Sequence, residues 1–155
     1  MPTHAEQRRL PHPREQLFAL VADIDRYHEF LPWCVASRVN RREGNVLTAD
    51  LVIGYKFFRE KFTSRVTLLP PDRIDVTYEN GPFKYLTNRW RFLPADGPEA
   101  TLIDFYVDFQ FRSALLEKLI GTVFTEAVHR MVRAFEERAD AIYGPANGQP
   151  APRPA

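Results

Sequence analysis

The sequence predicts an α+β fold: a curved, seven-stranded antiparallel sheet wrapped around one long C-terminal helix, with two short helices after the first strand. Three observations carry this. From Trp33 to Phe111 apolar residues recur at every second position, with no helical stretch between them. Turn residues break that stretch into runs too closely spaced for parallel crossovers, so consecutive strands must be antiparallel. From Ser113 to about Tyr143 the period becomes helical.

A short first strand is expected at Glu6 to Leu10. Pro13 then sits where the first helical turn tolerates proline, followed by Glu15 and by Leu17, Phe18, Leu20, Val21 and Ile24, the pattern of a short amphipathic helix. A second short helix is expected from Asp25 through Tyr27 and Phe30, ending before Pro32, which disfavours helical backbone at the preceding residue. Five strand runs have clear alternating faces. Their inward sets are Leu47, Ala49, Leu51, Ile53 and Tyr55; Phe62, Ser64, Val66 and Leu68; Ile74, Val76 and Tyr78; Leu86, Asn88, Trp90 and Phe92; and Ile103, Phe105, Val107, Phe109 and Phe111. The alternate positions are mostly polar, so one face is buried. Turns are expected at Glu43-Gly44-Asn45, Pro70-Pro71-Asp72, Asn80-Gly81-Pro82 and Ala95-Asp96-Gly97-Pro98. Ser113 suits the N-cap of the last helix, whose apolar pairs, from Leu115/Leu116 to Ala134/Phe135, make a wide stripe.

The chain of 155 residues reads as one domain over 1–143, with a Pro-rich, disordered tail over 144–155 that holds four prolines and no large apolar group. With 21 Lys plus Arg against 20 Asp plus Glu, the charge is too balanced for a broad nucleic-acid footprint. One Cys rules out an internal disulfide, and the four His show no paired ligand spacing, so no metal is expected. No run of 18 apolar residues occurs, and Met1 to Pro13 lacks the apolar core of a signal peptide.

A sheet of seven strands is far wider than one helix of about 10–12 Å diameter. Either the sheet closes onto the helix, or a space remains that the short helices and loops roof over. Such a space would be apolar. Trp90, Phe92, Phe105, Phe109, Phe124, Val128 and Met131 are expected to line it, with Trp33, Leu51, Ile53, Phe62, Val66 and Val107; plain core is the competing reading. Ser64 and Asn88 are the polar residues at inward positions. Cys34, beside Trp33 and His28, has no evident base and is read as a small packed residue at a strand start. Asp104 and Asp108 share the outer face and are expected to be solvated rather than catalytic.

Several segments together resemble the coenzyme Q-binding branch of the START-like, helix-grip superfamily. They are Tyr27-His28-Glu29-Phe30-Leu31-Pro32-Trp33-Cys34, Val52-Ile53-Gly54-Tyr55-Lys56, Ser64-Arg65-Val66, Asn80-Gly81-Pro82-Phe83 with Leu86 and Trp90-Arg91-Phe92, and Met131 to Ala139. The resemblance spans roughly residues 3 to 143. The same motifs occur in a bacterial ribosome-association toxin, and sister groups are polyketide cyclases or dehydrases. The resemblance implies a cavity that holds ubiquinone or a related polyprenyl lipid as ligand, with no other cofactor. It implies a non-enzymatic carrier supporting respiration or quinone biosynthesis, with respiratory or quinone-biosynthesis proteins as partners, either Ser64 or Asn88 being placed to hydrogen-bond a quinone carbonyl. The expected location is cytoplasmic and peripheral to the inner face of the plasma membrane, or the matrix side of the mitochondrial inner membrane in a eukaryote.

Two aromatic-basic clusters, containing Lys56, Phe57 and Phe58 and then Phe83 and Lys84, suit contact with a membrane interface, unless their rings fold back over the cavity mouth. The alternative function is a protein that binds the large ribosomal subunit through Arg38, Arg41, Arg42, Lys61, Arg65, Arg89 and Arg91, aligned on the outer side of the sheet. A cyclase-type enzyme is the third reading, disfavoured by the apolar interior.

Overall fold

The computed structural model describes residues 3–55 and 58–144, the side chains of residues 121 and 122 excepted. The chain runs β1 (Thr3–Leu10), α1 (Arg14–Ala22), a 3₁₀ helix (Ile24–Glu29), β2 (Cys34–Glu43), β3 (Val46–Tyr55), β4 (Phe58–Leu69), β5 (Arg73–Asn80), β6 (Phe83–Ala95), β7 (Gly97–Phe111) and α2 (Ala114–Tyr143). The seven strands form one antiparallel sheet in the order β1-β7-β6-β5-β4-β3-β2. Six strands therefore follow one another as a meander, and the first strand pairs with the last. Of the expected tail, Gly144 ends α2 as its C-cap, and residues 145–155 lie outside the described residues.

Two boundaries differ from the sequence reading. The first strand begins at Thr3, because His4 and Glu6 continue the alternation even though they are polar. The second short helix is of the tighter 3₁₀ kind and ends at Glu29, with the Phe30 N–H closing on the Tyr27 carbonyl.

The alternation sorts the strand side chains as expected. Leu47, Ile74, Phe92, Ile103, Phe105, Phe109 and Phe111 are almost wholly buried, while their sequence neighbours face outward. On α2, Ile120, Phe124, Val128, Val132, Phe135 and Ala139 are buried at intervals of three or four, one stripe along the helix with Ala127 buried beside it. Ser113 caps this helix as expected, its Oγ accepting from the Leu116 N–H, and Glu117 accepts from the Phe111 N–H, sealing the corner between β7 and α2. The helix packs on β7, β1 and α1. Its far end is held by buried His12, whose ring nitrogen lies 2.8 Å from Asp140.

The outer face of the sheet is not the continuous basic surface expected. Arg38, Arg41, Lys61, Arg65, Arg89 and Arg91 do point outward, but carboxylates stand among them. Lys61 lies near Asp50, Arg65 near Glu79 and Arg91 near Asp104. Burial works against the Asp50 charge, yet hydrogen bonds from Thr63 and Asn40 and the charges of Lys61 and Arg38 hold its carboxyl below the usual range. Arg42 is on the opposite face: an irregularity between Val39 and Arg41 shifts the register and pairs it with inward-facing Leu47.

Candidate ligand-binding site

The curved sheet leaves a cavity of about 120 Å³ beneath α2. The floor comes from β3 to β7: Ala49, Leu51, Phe62, Ser64, Val66, Ile74, Val76, Leu86, Asn88, Trp90 and Val107. Phe124, Val128, Met131 and Phe135 of α2 form one wall, and Ile24, Tyr27 and Leu31 close the roof. An adjoining groove of about 80 Å³ runs between the Leu31–Cys34 segment, β3 and α2; Leu31, Leu51, Phe62, Phe124, Val128 and Met131 are common to both.

Both alternatives posed by the width of the sheet are therefore realised in part. The sheet curls onto the helix, and a space still remains. It persists where it does because the roof is pinned from outside. The Phe30 and Tyr27 rings pack edge-on against Phe135, and Arg138 donates to Glu29 at 2.5 Å while its guanidinium lies over Phe30. The Tyr27 hydroxyl donates to the Val21 carbonyl, so this polar group is spent on the fold, and burial drives its pKa upward.

Ten of the predicted lining residues surround the cavity: Leu51, Phe62, Ser64, Val66, Asn88, Trp90, Val107, Phe124, Val128 and Met131. Trp33 and Ile53 line the groove instead. Trp33 takes a left-handed backbone (φ 68°), uncommon for a bulky residue, and stacks on Tyr55 at 4.3 Å. Phe92, Phe105 and Phe109 line neither space. Phe92 lies against Phe18 of α1, Phe105 against Trp90, and Phe109 against Phe124, so direct ring packing fills the volume they face. The expected lining lacks Ala49, Ile74, Val76 and Leu86 of the sheet, which alternation marks as inward without showing that they face a gap, and Ile24, Tyr27, Leu31 and Phe135, which are legible as apolar but not as meeting over one.

The two polar positions are not equivalent. The Asn88 side chain donates to the Tyr106 carbonyl and accepts from the Trp90 indole N–H, which fixes it in the wall. Ser64 is 4% exposed and makes no side-chain hydrogen bond among the described residues, which leaves its hydroxyl free to meet a ligand. Among the described residues, no Asp, Glu, His, Lys or Arg lines the cavity. Cys34 lies in the groove, where burial pushes its thiol up to about 11 against an opposing hydrogen bond with Ser37.

The aromatic-basic clusters are altered by the fold. Phe58 and Phe83 are core residues, 5% and 0% exposed, because each occupies the first inward position of its strand. Phe58 meets Phe111 edge-on, and Phe83 stacks on Phe111. Lys84 is exposed. Lys56 and Phe57 lie outside the described residues. No described helix is long and apolar enough to cross a membrane.

A helix gripped by a curved sheet over an apolar cavity defines a START-like, helix-grip domain. The chain belongs to the family described as polyketide cyclase/dehydrase and lipid transport, whose pattern matches residues 10–136. It is 39% identical to the ribosome association toxin RatA of Pseudomonas aeruginosa over 145 residues, 93% of this chain and all of that protein. It is 34% identical to the mitochondrial coenzyme Q-binding protein COQ10 homolog B of Xenopus laevis over 144 residues, 91% of this chain but 59% of that longer protein. The fold also matches the Zhui aromatase/cyclase of a Streptomyces species, with a TM-score of 0.81 over 96% of this chain and 99% of that one, at 16% identity.

Proposed function

We propose that the protein is a carrier or chaperone for a polyprenyl quinone or a related isoprenoid lipid, held in the cavity under α2. The observation that carries this reading is the lining: eighteen residues, with Ser64 the one polar side chain left without a partner among those described. Burying prenyl methylenes at roughly 0.8 kcal/mol each supplies affinity without polar chemistry. Likeness to the Xenopus coenzyme Q-binding protein supports the choice of ligand.

The cavity dimensions refine the mode of binding. Pockets for whole drug-sized ligands run to roughly 300–1,000 Å³. A space of about 120 Å³ suits a ring-sized group or one end of a tail. The remainder of the ligand would leave through the groove past Trp33, or spread α2 from the 3₁₀ helix. The Ser64 hydroxyl would donate to a quinone carbonyl.

The test is quenching of Trp33 and Trp90 fluorescence by a long-tailed ubiquinone and by a tail-less analogue. The long-tailed ligand is expected to bind much more tightly. Equal affinity for the head group alone would sink the tail-burying mechanism.

Association with ribosomes is a second reading, carried by the likeness to the Pseudomonas toxin. The outer sheet face would be its surface, yet the carboxylates of Asp50, Glu79 and Asp104 blunt the phosphate attraction of that face. Sedimentation with ribosomes at low and high salt tests it. For a cyclase-type reaction, the described lining offers no carboxylate or imidazole to move a proton.

A further inference from the structure

We propose that His4, Glu6 and His129 form a binding site for a divalent transition-metal ion, Zn²⁺ being the best fit, that ties the edge strand β1 to the middle of α2. His4 and Glu6 are two residues apart on one face of β1, so their side chains project to the same side. His129 reaches them from α2, flanked by the cavity-lining Val128 and close to Met131. One donor atom from each of the three lies within 4.8 Å of the others. The His4 Nε2 is 3.0 Å from Glu6 Oε1, and the His129 Nδ1 is 3.5 Å from the same oxygen.

The spacing fits the chemistry of the ion. Zinc bonds of about 2.0–2.1 Å to nitrogen and oxygen, set tetrahedrally, put ligand atoms roughly 3.3 Å apart. The two measured separations stand on either side of that value, and the imidazole pair needs to close by no more than an exposed side chain can supply. The His4 and His129 rings are already edge-to-face, 5.4 Å between centroids. Two imidazoles and one carboxylate are borderline donors, which favour zinc and its transition-metal neighbours over magnesium or calcium. His129 is half exposed, with 50% of its side chain accessible, so the fourth position opens toward solvent.

Glu6 is also prepared for the role. Its other oxygen, Oε2, accepts from Arg8 at 2.7 Å, and Arg8 is held in turn by Glu136 of α2 at 2.5 Å. Such outer partners fix the orientation of a ligating carboxylate and leave Oε1 turned toward the two rings. The purpose of the arrangement follows from its position. The ends of the site lie 125 residues apart in the chain, and an ion between them would fasten α2 where it walls the cavity, opposing the movement of the helix that a bulky ligand requires.

The experiment uses the full untagged chain and ZnCl₂. Calorimetry is expected to show one saturable site, MgCl₂ to show none, and imidazole NMR signals of His4 and His129 to shift while those of His12 and His28 stay in place. His129→Ala, at an exposed helix position, is expected to weaken Zn²⁺ binding by at least the roughly 10- to 100-fold that loss of even an outer partner costs. Amide exchange of α2 in the parent is expected to slow when zinc is bound. Absence of saturable binding, binding unchanged in His129→Ala, or shifts at His12 or His28 in place of these two would each overturn the site and leave the cluster a purely structural set of ion pairs.

Discussion

Cys34 opens β2 next to the strained Trp33, and its setting decides its chemistry. Partial burial disfavours the thiolate, and the Ser37 hydrogen bond only partly offsets this, so the pKa stands at about 11 rather than 9.0. The thiol is therefore protonated at pH 8 and ionises only as pH climbs toward 11. Alkylation by iodoacetamide at pH 8 is expected to be slower than that of a thiol of ordinary pKa by on the order of a hundredfold, the ratio of thiolate fractions for a two-unit shift. Mass spectrometry over time checks this, and rapid labelling at pH 8 would show a thiolate stabilised by something other than Ser37. The same residue shows the reach of sequence reading at this scale. The apolar surroundings of Cys34 were legible in the chain, whereas the commitment of Asn88 to Tyr106 and Trp90, against the free hydroxyl of Ser64, required knowing where each side chain points.

Among the elements, the turn between β5 and β6 is the most tightly specified. Gly81 has φ +146°, a region that favours glycine, and a side chain there would meet the Phe62 Cβ at 2.5 Å and its Cα at 2.9 Å. Neither atom is free to move, because Phe62 belongs to the middle of β4 and its ring packs edge-on against Phe83. Gly81→Ala is accordingly expected to destabilise the protein by at least roughly 1–3 kcal/mol, the cost of overpacking, and chemical denaturation measures it. A change below 0.5 kcal/mol, the ordinary range for surface substitutions, would mean that this hairpin relaxes freely. The turn was readable from Asn80-Gly81-Pro82 alone. Burial of Phe58 and Phe83 was not, because both lie beside turn residues and basic groups; Phe58 is in phase with the inward set of β4, whereas Phe83 is out of phase with Leu86 and Trp90 and turns inward opposite Phe111 through the irregularity between Phe83 and Tyr85.

For the whole molecule, the decisive property is the gap between one helix and a sheet too wide for it. Val128 borders both the cavity and the groove, so Val128→Phe distinguishes empty space from close packing. In a filled core the extra ring costs roughly 1–3 kcal/mol. Over this cavity, Tm is expected to move by less than about 3 °C, which corresponds to under about 1 kcal/mol for a chain of this length. Ubiquinone quenching of the tryptophans is expected to fall sharply. A large loss of Tm with quenching intact would return these residues to the ordinary core and remove the cavity from the function.

The sequence by itself determined the order of elements, the antiparallel meander, the inward sets of the five strands β3 to β7 apart from irregular positions such as Phe83, and the apolar stripe and cap of α2. These properties are local. A period of two or of three to four, a proline or a capping serine acts over a few residues, and the chain records it directly. Tertiary structure alone decided which inward residues face empty space and which face another ring, since that depends on where α2 and the 3₁₀ helix come to rest. Phe92, Phe105 and Phe109 obey the same alternation as Trp90 and Val107, yet the first three are packed and the last two border the cavity. The meeting of His4 with His129 is of the same kind. No spacing rule links residues so far apart, because their proximity is a consequence of the sheet curling until its edge strand lies against the helix.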